Sequence, residues 1–548
     1  MSFLQEKNNK LMLYTPYEDL SILKQIPISK KWNRKEKSWE FPLLNENVNI
    51  IKNYIPDIKI DGELLKILKK LEVSNRNEIN FLKDLKKKDY KLPFKPKLKP
   101  YHHQIVMTHF LKNFKYGALL SEMGTGKTKS VIDTVNWLIK ENKLLPQKIL
   151  VVVPKSILEN WEEEIKINSD LSSTILIGKK EKRLKFLEKD VIFYIINYEG
   201  VRVIFDELFK IKWGMIVLDE STKIKSRKAQ VSKLLFKLKD KGERRIIMTG
   251  SPMTEEPFDI FSQFKFLKPE VFGTSFMLFR DQYAVMGGYG GYEVIHWKNL
   301  EELKNKVFRH SIRFSKKECL SLPPKIFTQE FFNFTDKQKE VYKRLKRDFI
   351  VELKGETIIT PTIMSRIMKF SEVSSGFLIK QDEKTLEKKI ITFDDNPKLE
   401  VLKDILERTN EKTVIWTRFR WEVELLENYF KKEKLNYSVI HGDIKNRQEQ
   451  IENFNKKNRF IICQIKIGSL GINLQSASIV VFFSLPYSYG DFIQAIDRCH
   501  RIGLKHKVLY ISLLARNSID IHIHKILQDK KSLVDYLMKE PEKIKEIL

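Results

Sequence analysis

The chain has 548 residues, of which 42% are hydrophobic, so it is long enough for several folded units with buried cores. Lys and Arg number 100 against 71 Asp and Glu, which gives a formal net charge of +29. This excess favours a polyanionic partner, most commonly nucleic acid, although a surface of solvated lysines is the alternative. The three cysteines form no CxxC pair, which excludes a disulfide framework and a thiolate zinc site.

The apolar segments are short. The first ten residues, MSFLQEKNNK, lack the apolar stretch of a signal peptide. The longest apolar runs have the length of a strand, far below the roughly 20 residues of a membrane-spanning helix. We therefore expect a soluble, cytoplasmic protein without a membrane partner, either nucleoid-associated or an intracellular viral protein.

The first hundred residues divide into two parts. Residues 1–85 alternate short strand-like and helix-like segments, which predicts a small α+β module. Residues 86–100 place three prolines among lysines. Because proline blocks helical and ladder hydrogen bonds, this stretch predicts an extended basic linker.

The segment from Tyr101 onward shows the pattern of a parallel sheet. Several continuous apolar runs end in polar residues, and continuous apolarity indicates strands that are covered on both faces. The runs are KILVVVP (148–154), VIFYIIN (191–197), GMIVLDE (214–220) and RIIMTGS (245–251). They predict a first α/β lobe over residues 101–268.

The rest of the chain repeats this pattern after an interruption. Residues 269–395 lose the strand pattern and predict helical protrusions and a hinge. Runs such as VIWTRF, RFIICQI and SIVVFFS then predict a second α/β lobe over residues 396–515. Residues 516–548 predict a C-terminal helical brace.

The stretch SEMGTGKT (121–128) is a candidate phosphate-binding loop. Backbone N–H groups of a glycine-rich turn can surround phosphate oxygens, and the N-terminus of the following helix adds positive potential. Lys127 would contact the β- and γ-phosphates, and the Thr128 hydroxyl would bind Mg²⁺. Ser121 stands where this motif usually has its first glycine. The predicted nucleotide contacts here are Met123, Gly124, Thr125, Gly126, Lys127 and Thr128.

A pair of acidic residues completes the predicted chemistry. Asp219 and Glu220 end the buried run MIVLDE. A carboxylate at a strand end can hold Mg²⁺ through water, and its neighbour can polarise the attacking water. Together with the loop, this pair predicts hydrolysis of a nucleotide with Mg²⁺.

The order of these motifs resembles the SNF2 family of superfamily 2 ATPases over about residues 98–530. The matching stretches are LKPYHHQ, SEMGTGKT, VVVPKSILENWEEE, IINYE, VLDES, MTGSPM, VIWTRF, IGSLGINLQSAS and QAIDRCHRIG. The last is the most specific, with Gln494, Arg498 and Arg501. The resemblance implies an α/β fold with two RecA-like parallel-sheet lobes and helical insertions, preceded by the α+β module.

The resemblance also implies roles for individual residues. Gln104 corresponds to the glutamine that recognises adenine, and Gly471 belongs to the nucleotide site. Arg498 and Arg501 correspond to arginine fingers of the second lobe, so hydrolysis would require the lobes to close. The implied contacts to a nucleic-acid backbone are Lys155, Ser156, Thr249, Ser251 and Asn473. For Thr249 and Ser251, simple capping after a strand is the alternative.

Part of the N-terminal module resembles the HARP domain of annealing helicases. The matching features are an Ile-Pro turn, Trp32 and the stretch KSWEFPL, which contains Trp39. This resemblance implies recognition of branched DNA, with candidate contacts Lys30, Lys31, Arg34 and Trp39. The alternative is that both tryptophans only build the core of the module, since Trp is usually buried.

Two positions depart from the family pattern. Thr222 replaces the histidine of the acidic motif, and Leu504 replaces the glutamine that ends the arginine motif. The leading hypothesis is a monomeric, ATP-dependent DNA translocase that acts on duplex or branched DNA without sequence preference, in fork remodelling, annealing, repair or recombination. The alternatives are a strand-separating DNA or RNA helicase and a nucleic-acid-binding scaffold switched by ATP.

Overall fold

The computed structural model divides into two compact units, residues 1–319 and 320–548. The residues described by the structure are 2–8, 10–16, 20–26, 30–43, 45–87, 89–250, 257–287, 293–319, 322–355, 360–381, 388–444, 446–465, 472–501 and 503–529. Among the helices of these segments, none combines the length and apolar character needed to cross a bilayer.

The chain begins with a small α+β module, as predicted. Its strands are β1 (Phe3–Lys7), β2 (Lys10–Tyr14), β3 (Lys31–Asn33), β4 (Ser38–Pro42) and β5 (Lys59–Ile60). Its helices are α1 (Leu20–Gln25), α2 (Asn45–Tyr54) and α3 (Gly62–Leu85). The strand order is β3-β4-β2-β1-β5, and only the β1–β5 pair is parallel. Leu4, Leu11, Leu13 and Phe41 form the sheet side of the module's core.

The described residues of the segment 86–100 (86, 87 and 89–100) form no helix or strand, as expected of an extended segment, but they lie against the first α/β lobe. Leu85, at the end of α3, is fully buried in that lobe's core. The Lys91 carbonyl is 3.1 Å from Nε2 of His109. The Lys97 ammonium donates to the Ser169 carbonyl at 2.9 Å and pairs with Asp170 at 2.6 Å. The predicted linker is therefore attached to the lobe along its length.

The first α/β lobe contains the four predicted strands, β7 (Ile149–Val153), β9 (Phe193–Asn197), β10 (Trp213–Asp219) and β11 (Gly242–Met248). It also contains β6 (Tyr116–Leu119) and β8 (Ser173–Leu176), which the sequence pattern did not predict. The helices are α4 (His102–Asn113), α5 (Lys127–Lys140), α6 (Leu158–Asn168), α7 (Lys180–Leu187), α8 (Tyr198–Val203), α9 (Phe205–Lys210), α10 (Gln230–Leu238) and α11 (Asp259–Leu267).

The segment after α11 returns to the same sheet. It contains α12 (Phe276–Tyr283), the hairpin β12 (Ala284–Gly287) and β13 (Glu293–Trp297), α13 (Leu300–Phe308), β14 (Ser311–Ile312) and α14 (Lys316–Cys319). The sheet order is β14-β6-β11-β10-β7-β9-β8, and every neighbouring pair is parallel. Alternate residues pack on opposite faces: Leu150 and Ile216 face one core, whereas Val151 and Val217 face the other.

The second unit contains another parallel sheet. Its strands are β15 (Lys325–Phe332), β18 (Thr413–Thr417), β19 (Tyr437–Ile440), β20 (Phe460–Gln464), β21 (Ile479–Phe482) and β22 (Val508–Ala515), and a separate hairpin pairs β16 (Phe377–Gln381) with β17 (Lys388–Thr392). The helices are α15 (Asp336–Gly355), α16 (Thr360–Ser374), α17 (Pro397–Glu407), α18 (Arg420–Lys432), α19 (Arg447–Lys456), α20 (Tyr489–Cys499) and α21 (Ile519–Gln528). The order β15-β22-β21-β18-β20-β19 is parallel throughout.

Two parallel-sheet lobes are thus confirmed, but the predicted helical segment 269–395 also supplies strands to both sheets. β14 has only two residues, too few to show a pattern. β15 is an edge strand with one partner, and Ile326, Phe327 and Phe331 remain exposed. An edge strand lacks the continuous apolar run of a central strand, which is why the sequence pattern did not reveal it. Of the predicted C-terminal brace, the structure describes α21 and nothing from residue 530 onward.

Candidate nucleotide and nucleic-acid sites

Three predicted motifs follow strands β6, β11 and β10, which are consecutive neighbours in the first sheet. The loop 121–128 follows β6, Thr249 follows β11, and Asp219 ends β10. Parallel strands place their carboxyl ends at the same edge of a sheet, which is where α/β proteins bind ligands. The topology therefore brings the loop and the acidic pair together, with one strand between them.

The loop has the backbone conformation of a phosphate cradle. Gly124 and Gly126 have φ values of 75° and 77°, in the left-handed region that favours glycine. A Cβ atom on Gly126 would lie 1.9 Å from the side-chain nitrogen of Gln104, so a larger residue would displace the Gln104 amide in addition to the strain of its positive φ. Helix α5 begins at the next residue and directs its N-terminus at the loop. This arrangement suits an anion.

The Lys127 side chain folds back over its own loop. It is 8% exposed, and its ammonium donates to the carbonyls of Ser121 at 2.7 Å and Glu122 at 3.1 Å. Charge-assisted bonds to phosphate are stronger than bonds to neutral carbonyls, so a bound phosphate can displace them. Thr128 is half-buried in the first turn of α5, and Met123 is half-buried in the loop. Thr125 is buried, with its hydroxyl bonded to the Glu122 carbonyl.

Helix α4 fixes the loop from one side. The Gln104 side-chain oxygen accepts from the Tyr101 N–H at 2.9 Å, and the Gln104 carbonyl accepts from the Thr108 hydroxyl. His103 lies 2.9 Å from the Thr125 carbonyl through Nε2. Burial lowers the pKa of His103, so the ring is neutral and Nε2–H is the donor. The structure shows Gln104 against the loop glycine, and its contact with adenine stays a prediction.

Asp219 is held by three hydrogen bonds. Its Oδ2 accepts from the indole N–H of Trp161 at 2.9 Å, and its Oδ1 accepts from the Glu220 N–H at 2.9 Å. The Tyr198 hydroxyl donates to the Asp219 carbonyl at 2.8 Å. Burial and the nearby carboxylates raise the pKa of Tyr198 well above its usual value, so it remains a donor. Trp161 and Tyr198 were not predicted as site residues, although both lie in stretches that mark the family resemblance.

Glu220 has a left-handed backbone with φ 50° and ψ 53°. For a residue with a side chain this conformation costs about 1–3 kcal/mol and tends to occur at functional sites. The following 3₁₀ helix, Ser221–Ile224, is anchored by a 2.7 Å bond from the Ser221 hydroxyl to Gln263. The chain thus turns sharply at the carboxylate that is predicted to activate water.

The residues present fit ATP with Mg²⁺. Mg²⁺ keeps several waters and takes oxygen ligands from one or two protein groups and the phosphates. A hydroxyl at Thr128 and a carboxylate at Asp219 would supply such a sparse oxygen set. Within the described residues there is no cluster of three or more His, Cys, Asp or Glu that could hold a metal by itself. The donor chemistry matches a cation that arrives with the nucleotide.

The predicted backbone contacts differ in accessibility. Lys155 is exposed on a 3₁₀ helix, Lys155–Ile157, that follows β7. The neighbouring Ser156 hydroxyl is buried and has no hydrogen-bond partner among the described residues. Thr249 is 1% exposed, and its N–H donates to the Leu119 carbonyl. Asn473 is exposed in the second unit. Ser251 and Gly471 lie outside the described residues.

The arginine motif lies at the end of α20. Arg498 is 4% exposed, and its carbonyl accepts from the Leu474 N–H at 3.0 Å. Arg501 is half-buried, and its Nε donates to the Asp497 carbonyl at 3.1 Å. Leu504 is 6% exposed and belongs to the apolar core, which explains how leucine is accommodated at this position.

The N-terminal candidates lie on the β3–β4 hairpin. Trp32 and Trp39 face each other across the strands with ring centroids 5.3 Å apart, and Trp32 is 42% exposed. Lys31 and Arg34 are exposed. Lys30 differs, because its ammonium donates to the Ile26 carbonyl at 2.8 Å and burial lowers its pKa. Of Lys30, Lys31 and Arg34, Lys30 is therefore the cation least available for an external contact.

These features define a class of protein: a phosphate-loop nucleotide-binding lobe joined in one chain to a second parallel α/β lobe that carries an arginine motif. The family comparison agrees. The SNF2-related domain matches residues 75–381, and the helicase conserved C-terminal domain matches residues 397–503. The chain belongs to the SNF2-related family, and the two domains together are those of an ATP-dependent, helicase-class enzyme.

Individual relatives are similar at moderate identity. An uncharacterized ATP-dependent helicase of Mycoplasma genitalium is 27% identical over 439 residues, which cover 77% of this chain and 40% of that protein. An ISWI chromatin-remodeling complex ATPase of Saccharomyces cerevisiae is 26% identical over 426 residues, covering 74% and 37%. The chain thus spans about 40% of the length of these curated relatives. A solved SWI2/SNF2 ATPase core of Sulfolobus solfataricus in complex with dsDNA is 25% identical with a TM-score of 0.40, covering 82% of this chain and 95% of that one.

Proposed function

We propose that this protein is an ATP-dependent DNA translocase of the SNF2 type. The observation that carries the proposal is the arrangement at one edge of the first sheet. A glycine-rich loop opens onto helix α5 after β6, and Asp219 with Glu220 ends β10. Family membership supports the same activity, since the matched domains belong to ATP-dependent enzymes.

Residues of both lobes have roles in the proposed hydrolysis of ATP. Lys127 leaves its loop carbonyls and binds the β- and γ-phosphates, while the loop N–H groups surround them. Thr128 and Asp219 would hold Mg²⁺, which would neutralise charge on the phosphates. Glu220 orients the attacking water and accepts its proton. Arg498 and Arg501 stabilise the charge that develops on the transferred phosphoryl group, and arginine does so without titrating.

The proposed track is the phosphate backbone of DNA. The net charge of +29 favours a polyanion. Lys155 and Asn473 are both exposed. An ammonium and an amide group can contact phosphates without recognising base sequence. Two relatives of Saccharomyces cerevisiae are named chromatin-remodeling complex ATPases, which supports a DNA substrate.

The N-terminal hairpin would add recognition of branched DNA, in line with its resemblance to the HARP domain. Trp32 offers an exposed ring beside a half-buried Trp39, and unpaired bases stack on such rings. Lys31, Arg34 and Lys35 are exposed around the same turn and would contact phosphates. Fork remodelling, annealing or repair are the roles that this combination suits.

A strand-separating helicase is the second candidate, because two mycoplasma relatives are named ATP-dependent helicases. The two functions differ in what happens to a forked duplex. We expect the purified chain to hydrolyse ATP faster with duplex or forked DNA than with single strands, and to anneal complementary strands more than it separates them. Net unwinding with single-strand stimulation would favour the helicase, and nucleotide binding without turnover would favour the ATP-switched scaffold.

A further inference from the structure

A short segment of the first unit lies along the nucleotide loop and continues its pairing beyond β6. We call residues 310–316 the strap; it consists of His310, β14 and the four residues that follow β14. Ala118 and Leu120 donate their N–H groups to the carbonyls of His310 and Ile312, both at 2.9 Å. The Glu122 N–H then donates to the Phe314 carbonyl at 3.0 Å. The ladder of backbone bonds therefore extends beyond β6 to Glu122, the second residue of the loop.

Two loop side chains add bonds to the strap. The Ser121 hydroxyl accepts from the Phe314 N–H at 3.0 Å, and the Glu122 carboxylate accepts from the Lys316 N–H at 3.1 Å. Ser121 is fully buried, and Phe314 is 7% exposed. The glycine usual at position 121 has no side-chain acceptor for that buried N–H group. Ser121 therefore provides the hydrogen-bond acceptor for the buried Phe314 N–H group.

The same two residues supply the carbonyls to which the Lys127 ammonium donates, at 2.7 and 3.1 Å. The orientation of these carbonyls is fixed by the bonds to the strap. The Phe314 ring also lies 6.0 Å from the His103 ring, and His103 binds the Thr125 carbonyl. The strap thus contacts the loop directly at Ser121 and Glu122, before its two glycines. It also contacts the loop indirectly, through His103, at Thr125 between the glycines.

We propose that the strap holds the backbone of the nucleotide loop in its phosphate-binding form, and that Ser121 and Glu122 are positioning residues that act through the loop backbone. This inference rests on the proposed nucleotide hydrolysis and identifies residues that the loop motif does not assign. The strap is itself anchored from outside: the Lys86 ammonium, at the end of α3, donates to the Arg313 carbonyl at 2.7 Å and lies 4.5 Å above the Phe314 ring.

The principal test compares Ser121→Ala with the wild type, using fluorescent Mg·ADP for binding and ATP for turnover. A loosened loop should weaken binding of the ground state and of the transition state by the same factor. KM and the Kd for Mg·ADP should therefore rise about tenfold, while kcat stays within about twofold. The Phe314 amide should exchange its hydrogen faster. Ser438→Ala, which removes a buried hydroxyl of β19 that accepts from the Asn458 side chain, controls for general loss of packing and should leave KM unchanged.

Glu122 provides a second test that does not depend on the buried site, because this residue is only half-buried. Glu122→Gln and Glu122→Ala remove the same charge, but glutamine keeps an oxygen that can accept from Lys316. We expect Glu122→Gln to bind Mg·ADP about three- to tenfold more tightly than Glu122→Ala, the loss of one hydrogen bond. Equal affinities of these two variants, or unchanged KM in a folded Ser121→Ala, would overturn the role of the strap. A wild type that binds no nucleotide would instead refute the proposed function.

Discussion

The indole N–H of Trp161 lies 2.9 Å from Oδ2 of Asp219, across 58 residues of sequence, and both side chains are buried. Trp161 is on α6, whereas Asp219 ends β10. The second carboxylate oxygen accepts from the Glu220 N–H. The two hydrogen bonds thus orient the carboxylate before any ligand arrives.

We therefore expect Trp161→Phe to lower ATP turnover about 10- to 100-fold, the usual cost of removing a hydrogen bond to a metal-binding carboxylate. The Mg²⁺ concentration that gives half-maximal turnover should rise, and a Mg²⁺ titration of the steady-state rate measures this. Trp137→Phe is the matched control, since the Trp137 N–H bonds to Glu141 at the far end of α5. If both variants behave alike, the effect of Trp161 is general packing.

Lys127→Ala should abolish hydrolysis, because the cation that stabilises the phosphates is lost. The Lys127 ammonium donates to two carbonyls of its own loop, and the substitution changes none of the apolar residues of the cores, so the fold should persist. Circular dichroism and turnover measured on the same preparation check both points. Retained turnover would remove this loop from the proposed site.

Arg501→Ala should reduce turnover on the order of 10³-fold while nucleotide affinity is largely kept, as for other arginine fingers. Arg501 is the cleaner choice because it is half-buried, whereas Arg498 is 4% exposed and its removal leaves a cavity. Single-turnover rates and the Kd for Mg·ADP separate the two effects. An equal loss of binding and turnover would show that Arg501 acts in the ground state.

Binding to DNA should depend steeply on salt and little on sequence. With roughly six to ten phosphates contacted, affinity should fall ~10³–10⁵-fold between about 50 and 200 mM salt. Fluorescence anisotropy with two unrelated duplexes of equal length measures both dependences. A complex that is insensitive to salt would contradict phosphate-dominated binding.

The hairpin can be tested by replacing Lys31, Arg34 and Lys35 with alanine. Lys30 is left intact because its ammonium bonds to the Ile26 carbonyl. We expect weaker binding to forked DNA and unchanged ATPase stimulation by plain duplex, since every hydrolytic motif lies beyond Tyr101. The control replaces exposed Lys66, Lys69 and Lys70 of α3 in the same module, with the same change of charge. If the two triple variants weaken binding to forked DNA equally, the hairpin contributes only general positive charge and does not recognise the fork.

Much of the architecture could be predicted from sequence because central parallel strands are buried on both faces and therefore appear as continuous apolar runs. The run ending at Asp219 is buried at every position, as predicted. The phosphate loop was equally visible, because a helix that follows two left-handed glycines requires a particular local sequence. Local patterns of this kind need no knowledge of distant contacts.

Other features depended on the tertiary structure. β14 has two residues and β15 is an exposed edge, so neither has a distinctive pattern, and both join sheets only through distant partners. The attachment of residues 86–100 to the first lobe was hidden for the same reason, since lysine and proline composition does not show where an extended segment lies.

The sequence by itself determined the class of fold, the family resemblance and which residues are candidates for phosphate and Mg²⁺. Only the tertiary structure decided how those residues are held: Trp161 on Asp219, His103 on Thr125, and Phe314 on Ser121. The physical reason is distance along the chain. A motif records conformations and chemical groups within a few residues, whereas a hydrogen bond between elements 58 or 193 residues apart exists only after the sheet has assembled.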